Sequence, residues 1–439
     1  MRGIFLLGCS FVALGTGIAC ASSEDDSQPI QDDESNPDVA VVAVDASTED
    51  VGVVEPPPPP ETCTSAGWCL TELPDVDLTL IDIWPLRGRA FAAAVSASLG
   101  TKIMEWVDAD QQWTYIDDET QNENGFGRYV GRIWAPNENE VYYTVEPGYV
   151  YHGTRGGAAW SWERELLVPT LIATLGQDLS APAVGKPETA SLGVRGTSSG
   201  DVYAWRANTI YRRMSVDGGA SQWVEEYSDG TSSQRSQIYS AAASEGGDIW
   251  FGGAHSGFGC PLLLRKGPDG YQTVFRSVFT VVPRLMCGPI PEASSLERPN
   301  EPSTGIAHSG ALTDLHVGAD GEVTALWHES TLTRFIPRDG GYDYVPEVVV
   351  EKKSGAGANF SASSLWVQGD EAWLTASGPN TASGWVFRGP LTGDANAFGL
   401  SSVALNGLPH VKPLYRIRGT DASNLWAVGA RYAFHKTAP

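Results

Sequence analysis

The sequence predicts an all-β protein made of seven related units, and two observations predict this class. The first is a short β-rich run, a turn of Gly, Asp, Asn and Ser, and then an apolar run, which is clearest at Leu414–Gly429. The second is that divergent copies of this pattern occur at intervals of about 50 residues from residue 80 onwards. Four strands per unit at that spacing indicate a seven-bladed β-propeller with four-stranded blades.

Each unit has a centre residue in its second strand, usually an aromatic one. In the last unit Leu425-Trp-Ala-Val-Gly429 is continuously apolar, which predicts a strand that is buried on both faces. Most units continue with a third β-run, a Gly/Asp turn and an aromatic residue that opens a fourth run, as at Asp108–Trp113 and Asp217–Trp223. The seven centre residues are Phe91, Tyr142, Tyr203, Trp250, Thr324, Trp373 and Trp426.

The last unit has three strands, and a fourth strand has to come from elsewhere. Gly67–Leu73, ahead of the first unit, has the pattern of a lone fourth strand that is opened by an aromatic residue, Trp68. We therefore expect Trp68–Leu73 to complete the last blade and close the ring, which leaves only short sheet edges. The alternative is that residues 63–75 are a linker.

The run Gly419-Thr-Asp-Ala-Ser-Asn-Leu-Trp-Ala-Val-Gly429 resembles the repeat of secreted β-propeller proteins that are abundant in myxobacteria. Those repeats read roughly Trp-Gly-Thr-Ser-x-x-Asp-Val-Trp-Ala-Val-Gly, then a strand and Asp-Gly-x-x-Trp. Cys63–Pro74 is similar to their usual approach to the first blade, so the resemblance covers about residues 63–439. The turns before Trp113 and Trp223 also resemble the Asp-box turns of sialidase-type propellers. The resemblance implies the fold and no particular activity.

Residues 1–20 have the features of an export signal. Arg2 precedes an apolar run, Ile4–Ile18, that is too short and too rich in glycine for a spanning helix. Gly17-Ile-Ala-Cys20 resembles a lipoprotein signal-peptidase site, so Cys20 is the expected lipidated residue of an outer-membrane or cell-surface lipoprotein. The alternative is ordinary cleavage at Ala19-Cys-Ala21 and a secreted or periplasmic protein.

Residues 21–62 are predicted to be a disordered tether. They contain 12 acidic residues, no lysine or arginine, no aromatic residue and the polyproline run Pro56–Pro60. Such a composition cannot bury enough apolar surface to fold. The predicted propeller, residues 63–439, holds 41 acidic and 28 basic residues within a net charge of −24 for the chain, which speaks against a nucleic-acid partner.

Four cysteines fall in the predicted propeller, and export to an oxidising compartment predicts that they pair. Cys63 and Cys69 are close enough in sequence to bridge, and Cys260 would then pair with Cys287. A metal site lacks the necessary Cys and His spacing, and we expect no metal and no cofactor.

Two long connections are the best location for a ligand site. Each runs from an outer strand to the next inner strand, and they comprise about residues 165–190 and 279–310. Loops of this length are usually functional or disordered. The loops between second and third strands lie on the same face. There we expect a site lined by His255, Phe258, Arg284 and Tyr149, the alternative being that the loops only pack on one another.

Catalytic patterns are weak. Gly196-Thr-Ser-Ser-Gly200 matches a nucleophile elbow in letters, but it lies in a turn between two strands, whereas an elbow joins a strand to a helix. The densest carboxylate cluster is Asp117–Glu119, which has the pattern of a solvated turn. A sialidase would need an arginine triad and a Tyr/Glu pair. The arginines available for a triad are Arg128, Arg132, Arg195, Arg206 and Arg416, and their settings do not select three of them.

These patterns favour a monomeric, non-catalytic binding module at the cell envelope, with an unknown protein or glycan as its partner. One alternative is a carbohydrate-active enzyme, sialidase-like or lyase-like, in which acids and arginines from different blades would converge on one pocket. Another is a structural envelope protein, in which apolar loop side chains would plug the channel mouth.

Overall fold

The structure is a computed structural model, and it describes residues 62–125, 129–167, 191–197, 200–215, 219–229, 236–255, 259–280, 286–289, 310–327, 331–349, 361–378, 383–392, 398–401, 403–405 and 410–438. The chain divides into the units Met1–Pro58 and Pro59–Pro439, and every described residue belongs to the second. The predicted export signal, Cys20 and the tether up to residue 61 therefore lie outside the described residues. Within the described ranges, no helix has the length and apolar character needed to cross a bilayer.

The described residues form seven antiparallel sheets, the blades of a propeller, and this confirms the predicted fold. The inner strand of each blade is the first of its unit, and the second strand pairs with it. The inner strands of blades 1 to 7 are β2 Thr79–Leu86, β6 Val130–Asn137, β10 Leu192–Gly196, β14 Gln237–Ala243, β19 Leu312–Val317, β23 Ser361–Gln368 and β27 Leu414–Asp421. The second strands are β3 Arg89–Ser96, β7 Glu140–Val145, β11 Val202–Arg206, β15 Ile249–His255, β20 Val323–Trp327, β24 Glu371–Ser377 and β28 Asn424–Gly429.

The outer half of each blade consists of a third and a fourth strand. The third strands are β4 Gly100–Val107, β8 Tyr149–Gly156, β12 Thr209–Ser215, β16 Cys260–Gly267, β21 Thr331–Arg338, β25 Gly384–Pro390 and β29 Tyr432–Lys436. The fourth strands of blades 1 to 6 are β5 Gln112–Tyr115, β9 Ala159–Leu166, β13 Ser221–Ser228, β17 Gly270–Thr280, β22 Gly341–Val349 and β26 Gly399–Ser401. A 3₁₀ segment, Thr120–Gly125, follows blade 1.

The ring closes as expected. β1, Trp68–Thr71, pairs antiparallel with β29 and supplies the fourth strand of blade 7. Trp68 is fully buried, and its indole Nε1 donates to Ser401 Oγ of blade 6 at 2.9 Å. The closing strand ends at Thr71, two residues before the predicted end at Leu73.

The seven predicted centre residues are structurally equivalent. Each lies opposite a defined residue of its inner strand, for example Trp84 opposite Phe91 in blade 1 and Arg418 opposite Trp426 in blade 7. Thr324, which departs from the aromatic pattern, occupies the same register opposite His316 in blade 5. The repeat therefore predicts the strand register of every blade, including blades in which the sequence of the repeat has diverged.

A polar pair accompanies each centre residue, and we call it the blade pair. It joins the residue two positions before the centre to the third-strand residue opposite the centre. In blade 6 Glu371 contacts Arg388 at 2.6 Å, and the Arg388 guanidinium lies 4.7 Å from the centre of the Trp373 ring. The blade pairs are Arg89–Glu105, Glu140–His152, Asp201–Arg212, Asp248–Arg265, Glu322–Arg334, Glu371–Arg388 and Asn424–His435.

Adjacent blades are joined by the aromatic residue that opens the fourth strand. Trp113 of blade 1 lies 5.3 Å from the centre residue Trp426 of blade 7, measured between ring centroids. Tyr342 of blade 5 meets the centre residue Trp250 of blade 4 at 5.1 Å. These edge-on contacts place large apolar surface between the sheets, where burial of each aromatic residue stabilises the ring by about 2–3 kcal/mol.

Both predicted cysteine pairs are bonded, Cys63 to Cys69 and Cys260 to Cys287. Cys287 belongs to a short additional strand, β18 Met286–Pro289, which pairs with β17 and makes blade 4 five-stranded. The long connection predicted for residues 279–310 therefore begins with a sheet extension, because the outer strand continues to Thr280 and a further strand turns back onto it.

Candidate functional site

The inner strands surround the central channel with two rings of side chains. The mouth ring consists of the residues opposite the centre residues, and the deep ring lies two positions earlier in each strand. The mouth ring is Trp84, Trp134, Arg195, Ala242, His316, Trp366 and Arg418. The deep ring is Asp82, Arg132, Gly193, Ser240, Asp314, Ser364 and Arg416.

Three deep-ring residues join each inner strand to that of the next blade. Asp82 Oδ2 accepts the backbone N–H of Ile133 at 3.0 Å, and Asp314 Oδ2 accepts that of Leu365 at 2.8 Å. Ser364 Oγ accepts the N–H of Ile417 in the same way at 3.2 Å. These N–H groups belong to inner strands, which are the edge strands of their sheets and have no neighbouring strand on the channel side, so the side chains satisfy them.

Buried ion pairs form the floor of the channel. Arg416 is fully buried, and its guanidinium contacts Asp82 at 3.3 Å and Asp314 at 3.4 Å. Arg418 contacts Asp314 at 2.8 Å from the mouth side. Burial raises the pKa of Asp314, but Arg418 and Arg132 outweigh it, and the net pKa lies below the usual value. The floor is thus a network of buried charged groups.

Above this floor lies a cavity of about 140 Å³. Three arginines and one aspartate line it, namely Arg132 of blade 2, Arg195 of blade 3, Arg418 of blade 7 and Asp82 of blade 1. Acids and arginines from separate blades therefore converge on one pocket. In a protein with a net charge of −24, this pocket has an excess of positive charge.

Arg195 has an unusual setting in the cavity. Its guanidinium lies 4.0 Å from the centre of the Trp84 ring, and its buried Nε has no hydrogen-bond partner. No described residue forms an ion pair with it within 4.0 Å. Burial, followed by the neighbouring Arg418, lowers the pKa of Arg195 to about 9, so its positive charge is poorly compensated.

His316 completes the polar part of the mouth ring. It lines the cavity on blade 5, and burial lowers its pKa to about 4, with further lowering by Arg418 and Arg195. The imidazole is therefore neutral at pH 7. A neutral histidine among arginines adds a hydrogen-bonding group to the wall without adding charge.

The cavity lies away from the face where the sequence placed a ligand site. No lining residue is among the first two residues of its inner strand. The long connections enter at the beginning of these strands, whereas the mouth-ring residues that line the cavity lie nearer the turns that lead to the second strands. The long connections themselves, residues 168–190 and 290–309, lie outside the described residues.

His255, one of the four predicted liners, lies in a buried cluster at the end of β15. Its Nδ1 is 3.0 Å from Ser236 Oγ and 3.3 Å from Asp229 Oδ2, and its Nε2 is 2.5 Å from Arg276 Nη2. Burial, followed by Arg276, lowers the pKa of His255, so the ring accepts a hydrogen bond from the guanidinium. The side chain is 1% exposed and does not line the cavity.

This cluster contains the residue types of a Ser-His-Asp triad in a different arrangement. A triad places the hydroxyl on one imidazole nitrogen and the carboxylate on the other. Here Ser236 and Asp229 both approach Nδ1, and Arg276 occupies Nε2. The geometry supports a packing role between blades 3 and 4.

The other predicted liners are not brought to the cavity. Tyr149 begins the third strand of blade 2, where the Arg164 guanidinium lies 5.1 Å from its ring centre. Phe258 and Arg284 lie outside the described residues, so their part in a ligand site stays a prediction. The sequence did not identify the cavity residues Trp84, His316 and Arg418.

Some of the arginines that the sequence offered for a triad line the cavity, and others lie elsewhere. Arg132 and Arg195 line the cavity, and Arg416 lies beneath it. Arg206 pairs with Glu146 at 3.6 Å away from the channel, and Arg128 lies outside the described residues. Across the described ranges, no group of three or more His, Cys, Asp or Glu side chains is placed to hold a metal ion.

No protein-family model and no curated protein matches the sequence. Among solved structures, the β-propeller domain of Cps50 (Swd1) from Myceliophteria thermophila matches with a TM-score of 0.50 and 9% identity, covering 85% of this chain and 100% of that one. YCF48 from Cyanidioschyzon merolae matches with a TM-score of 0.48 and 15% identity, covering 85% and 99%. The extracellular domain of the putative one component system BT4673 from B. thetaiotaomicron gives 0.49 and 13%, covering 85% of this chain and 40% of that one. At 9% identity, the likeness to Cps50 shows the propeller fold alone.

Proposed function

We propose that the protein is an exported, monomeric, non-catalytic binding module that receives an acidic group of a protein or glycan partner in its central channel. The observation that carries this proposal is the convergence of Arg132, Arg195 and Arg418 from three blades on one cavity. Such a surplus of guanidinium groups favours a negatively charged ligand. The fold is compatible with an interaction module, but it does not identify the ligand.

The cavity wall favours binding over glycoside hydrolysis. A sialidase-like reaction needs a Tyr/Glu pair beside the arginines, and among the described residues no tyrosine or glutamate lines this cavity. The two carboxylates near it, Asp82 and Asp314, are held by Arg416 and by backbone N–H groups. The pKa of Asp314 lies below its usual value, which makes it a poor acid. Burial raises the pKa of Asp82, but among the described residues no second carboxylate lines the cavity to act with it. The enzyme alternative therefore has the arginines it needs and lacks the reacting groups.

Export is the second part of the proposal. Two disulfides within the described residues favour an oxidising compartment. With the signal-like residues 1–20, they support an envelope protein anchored through lipidated Cys20, and the resemblance to secreted myxobacterial propellers is in keeping with this location. Mass spectrometry of the N-terminal peptide tests the anchor, because a diacylglyceryl-modified Cys20 is expected and an unmodified terminus would overturn it.

The binding proposal is tested by screening the full-length chain on glycan and peptide arrays. We expect acidic ligands to be selected, and Arg195→Gln to weaken their binding at least tenfold. Arg338→Gln is the matched control, because it removes the same charge from an exposed pair with Asp343 on the outer part of blade 5. Equal binding by both variants, or turnover of a bound saccharide, would contradict the proposal.

A further inference from the structure

The cavity mouth contains one arginine whose charge is uncompensated. Asp314 contacts Arg418 through both carboxylate oxygens, at 2.8 and 2.9 Å, so Arg418 is largely neutralised. Arg195 has no such partner among the described residues, and its guanidinium lies over the face of Trp84. The mouth of the cavity therefore carries about one unit of positive charge that a ligand can neutralise.

The stacking of Arg195 on Trp84 fixes how a ligand can approach. The Trp84 ring, 4.0 Å away, covers one side of the Arg195 guanidinium, and the planar fork of N–H donors on that guanidinium matches a carboxylate. The side chain is partly exposed to the cavity. Trp84 is thus a positioning residue for Arg195, since its ring is covered and unavailable for stacking a ligand.

The size and the walls of the cavity limit what accompanies the charge. Its volume of about 140 Å³ is close to that of a cavity that admits benzene. Ala242 and Trp366 of the mouth ring contribute apolar wall alongside the arginines. A phosphate dianion is strongly hydrated and would lose most of its hydration in so small a cavity, whereas a monoanion on a short apolar stem loses less hydration and also fits the apolar wall.

From these three observations we infer that the central cavity takes one small carboxylate group on a short apolar stem, bound by the N–H groups of Arg195. This inference rests on the proposed function, which requires an acidic ligand in the channel. It goes further by specifying a single carboxylate. A peptide terminus, an acidic side chain or a free short-chain acid could each supply that group.

The test uses the full-length chain and propionate as the probe, with propionamide as its neutral counterpart. Phenylglyoxal labels accessible arginines, and peptide mass spectrometry reports the labelling rate of Arg195 separately from the other arginines. We expect propionate to slow the labelling of Arg195 at least fivefold while propionamide leaves it unchanged. Labelling of Arg338 serves as the internal control and should not respond. Unchanged labelling of Arg195 in propionate would overturn the inference.

Selectivity and source are tested by further probes at constant ionic strength. Sulfate and phosphate should protect Arg195 less than propionate, and equal protection by all three would replace the carboxylate site with a general anion site, which contradicts the inference. A short peptide with a free C-terminus, its amidated form, and an amidated peptide with one internal glutamate separate a chain terminus from an acidic side chain. Protection by propionate without protection by any of these peptides assigns the site to a free acid.

Calorimetric titration with propionate gives a second readout with two variants. Arg195→Gln should abolish the binding heat, and Trp84→Leu, which keeps the charge and removes the stacking surface, should weaken binding about three- to tenfold. If Arg195→Gln fails to fold, Trp84→Leu still decides, because unchanged affinity in that variant would contradict the positioning role. Array binding that depends on Arg195 without any response to carboxylates would retain the proposed function and reject this inference.

Discussion

The blade pairs and the channel rings lie in the same sheets, yet they differ in how far they repeat. At the third-strand position opposite the centre, six blades carry arginine or histidine, and blade 1 carries the reversed pair Arg89–Glu105. At the inner-strand position opposite the same centre, the seven residues include tryptophan, arginine, alanine and histidine. Positions that repeat around the ring build the blade, and positions that differ give the channel its individual chemistry.

Exposure explains the difference in energetic terms. The side chains of Glu371 and Arg388 in the blade 6 pair are 46% and 44% exposed, whereas those of Asp314 and Arg416 in the deep ring are 1% and 0% exposed. Water screens the first pair and leaves it worth about 0–1 kcal/mol. The second pair is dehydrated, so each charge depends on its partner. The following predictions test this contrast, from the largest expected effect to the smallest.

The largest effect is expected at the channel floor. Asp314→Asn removes the buried negative charge that Arg416 and Arg418 share. It should lower the free energy of unfolding by about 3–5 kcal/mol. The matched change in a blade pair, Glu371→Gln, should cost about 1 kcal/mol or less. Urea unfolding at pH 7 measures both. Equal losses of unfolding free energy in the two variants would contradict the proposed difference between the channel floor and the blade pairs.

A pH-dependent effect is expected in the blade 7 pair, whose His435 is buried. Burial lowers the pKa of His435 from 6.5 to about 4, and its ring stacks on Trp426 with centroids 4.0 Å apart. The unfolded chain therefore binds a proton at higher pH than the folded chain does, and the stability that neutral His435 contributes is lost as pH falls from 6.5 to 4. The loss should reach about 3 kcal/mol.

Comparison with His435→Gln isolates this contribution. His316 and His410, whose pKa values are also lowered to about 4, are present in both proteins and contribute equally to both curves. We expect the unfolding free energy of the variant to fall by about 3 kcal/mol less over this range. Parallel pH profiles for the two proteins would show that His435 titrates normally in the fold.

An intermediate effect is expected where a channel tryptophan rests on a glycine. A Cβ at Gly196, next to Arg195, would lie 2.0 Å from the Trp134 ring, whereas a Cβ at Gly156 on the outer part of blade 2 would meet nothing within 4 Å. Gly196→Ala should therefore cost about 1–3 kcal/mol through overpacking, and Gly156→Ala should stay within about 0.5 kcal/mol. Thermal unfolding of the two variants distinguishes them, and a neutral Gly196→Ala would mean that the channel wall yields easily.

The smallest effect is expected when a blade pair is reversed. The double variant Glu371→Arg with Arg388→Glu keeps the exposed pair and inverts its direction, as Arg89 and Glu105 already do in blade 1. Its stability should stay within about 1 kcal/mol of the native protein. A larger loss, measured by urea unfolding, would show that the arginine stacked on Trp373 contributes more than its charge.

The repeat made the ring predictable from the sequence, because turn chemistry and alternating burial mark each strand locally. Even the divergent centres Phe91 and Thr324 were placed in the correct register, and Trp68 was placed in the closing strand. The strand after the long outer strand of blade 4 was missed, since Met286–Pro289 is short and has little β pattern of its own.

The cavity was not predictable in the same way. Arg132 and Arg195 were recognised as candidates. The closed ring determines which blades face each other across the channel, and no local sequence pattern encodes this arrangement. One signal was present. Asp314 and Arg416 are charged residues in the inner strands, and a charge that is buried in a sheet needs a partner. Aligning the inner strands by their centre residues would have placed these charges at one level.

Closure by β1 has a consequence for how the chain is made. Thr71 bonds to Ala433 across a separation of 362 residues, so the first described strand to be synthesised waits for the last before its sheet is complete. Contacts between such distant segments form slowly, because a long loop must close before they contribute. Until β29 is available, blade 7 lacks its fourth strand and Trp68 is unburied. Assembly of the propeller is therefore expected to end with the pairing of β1 and β29.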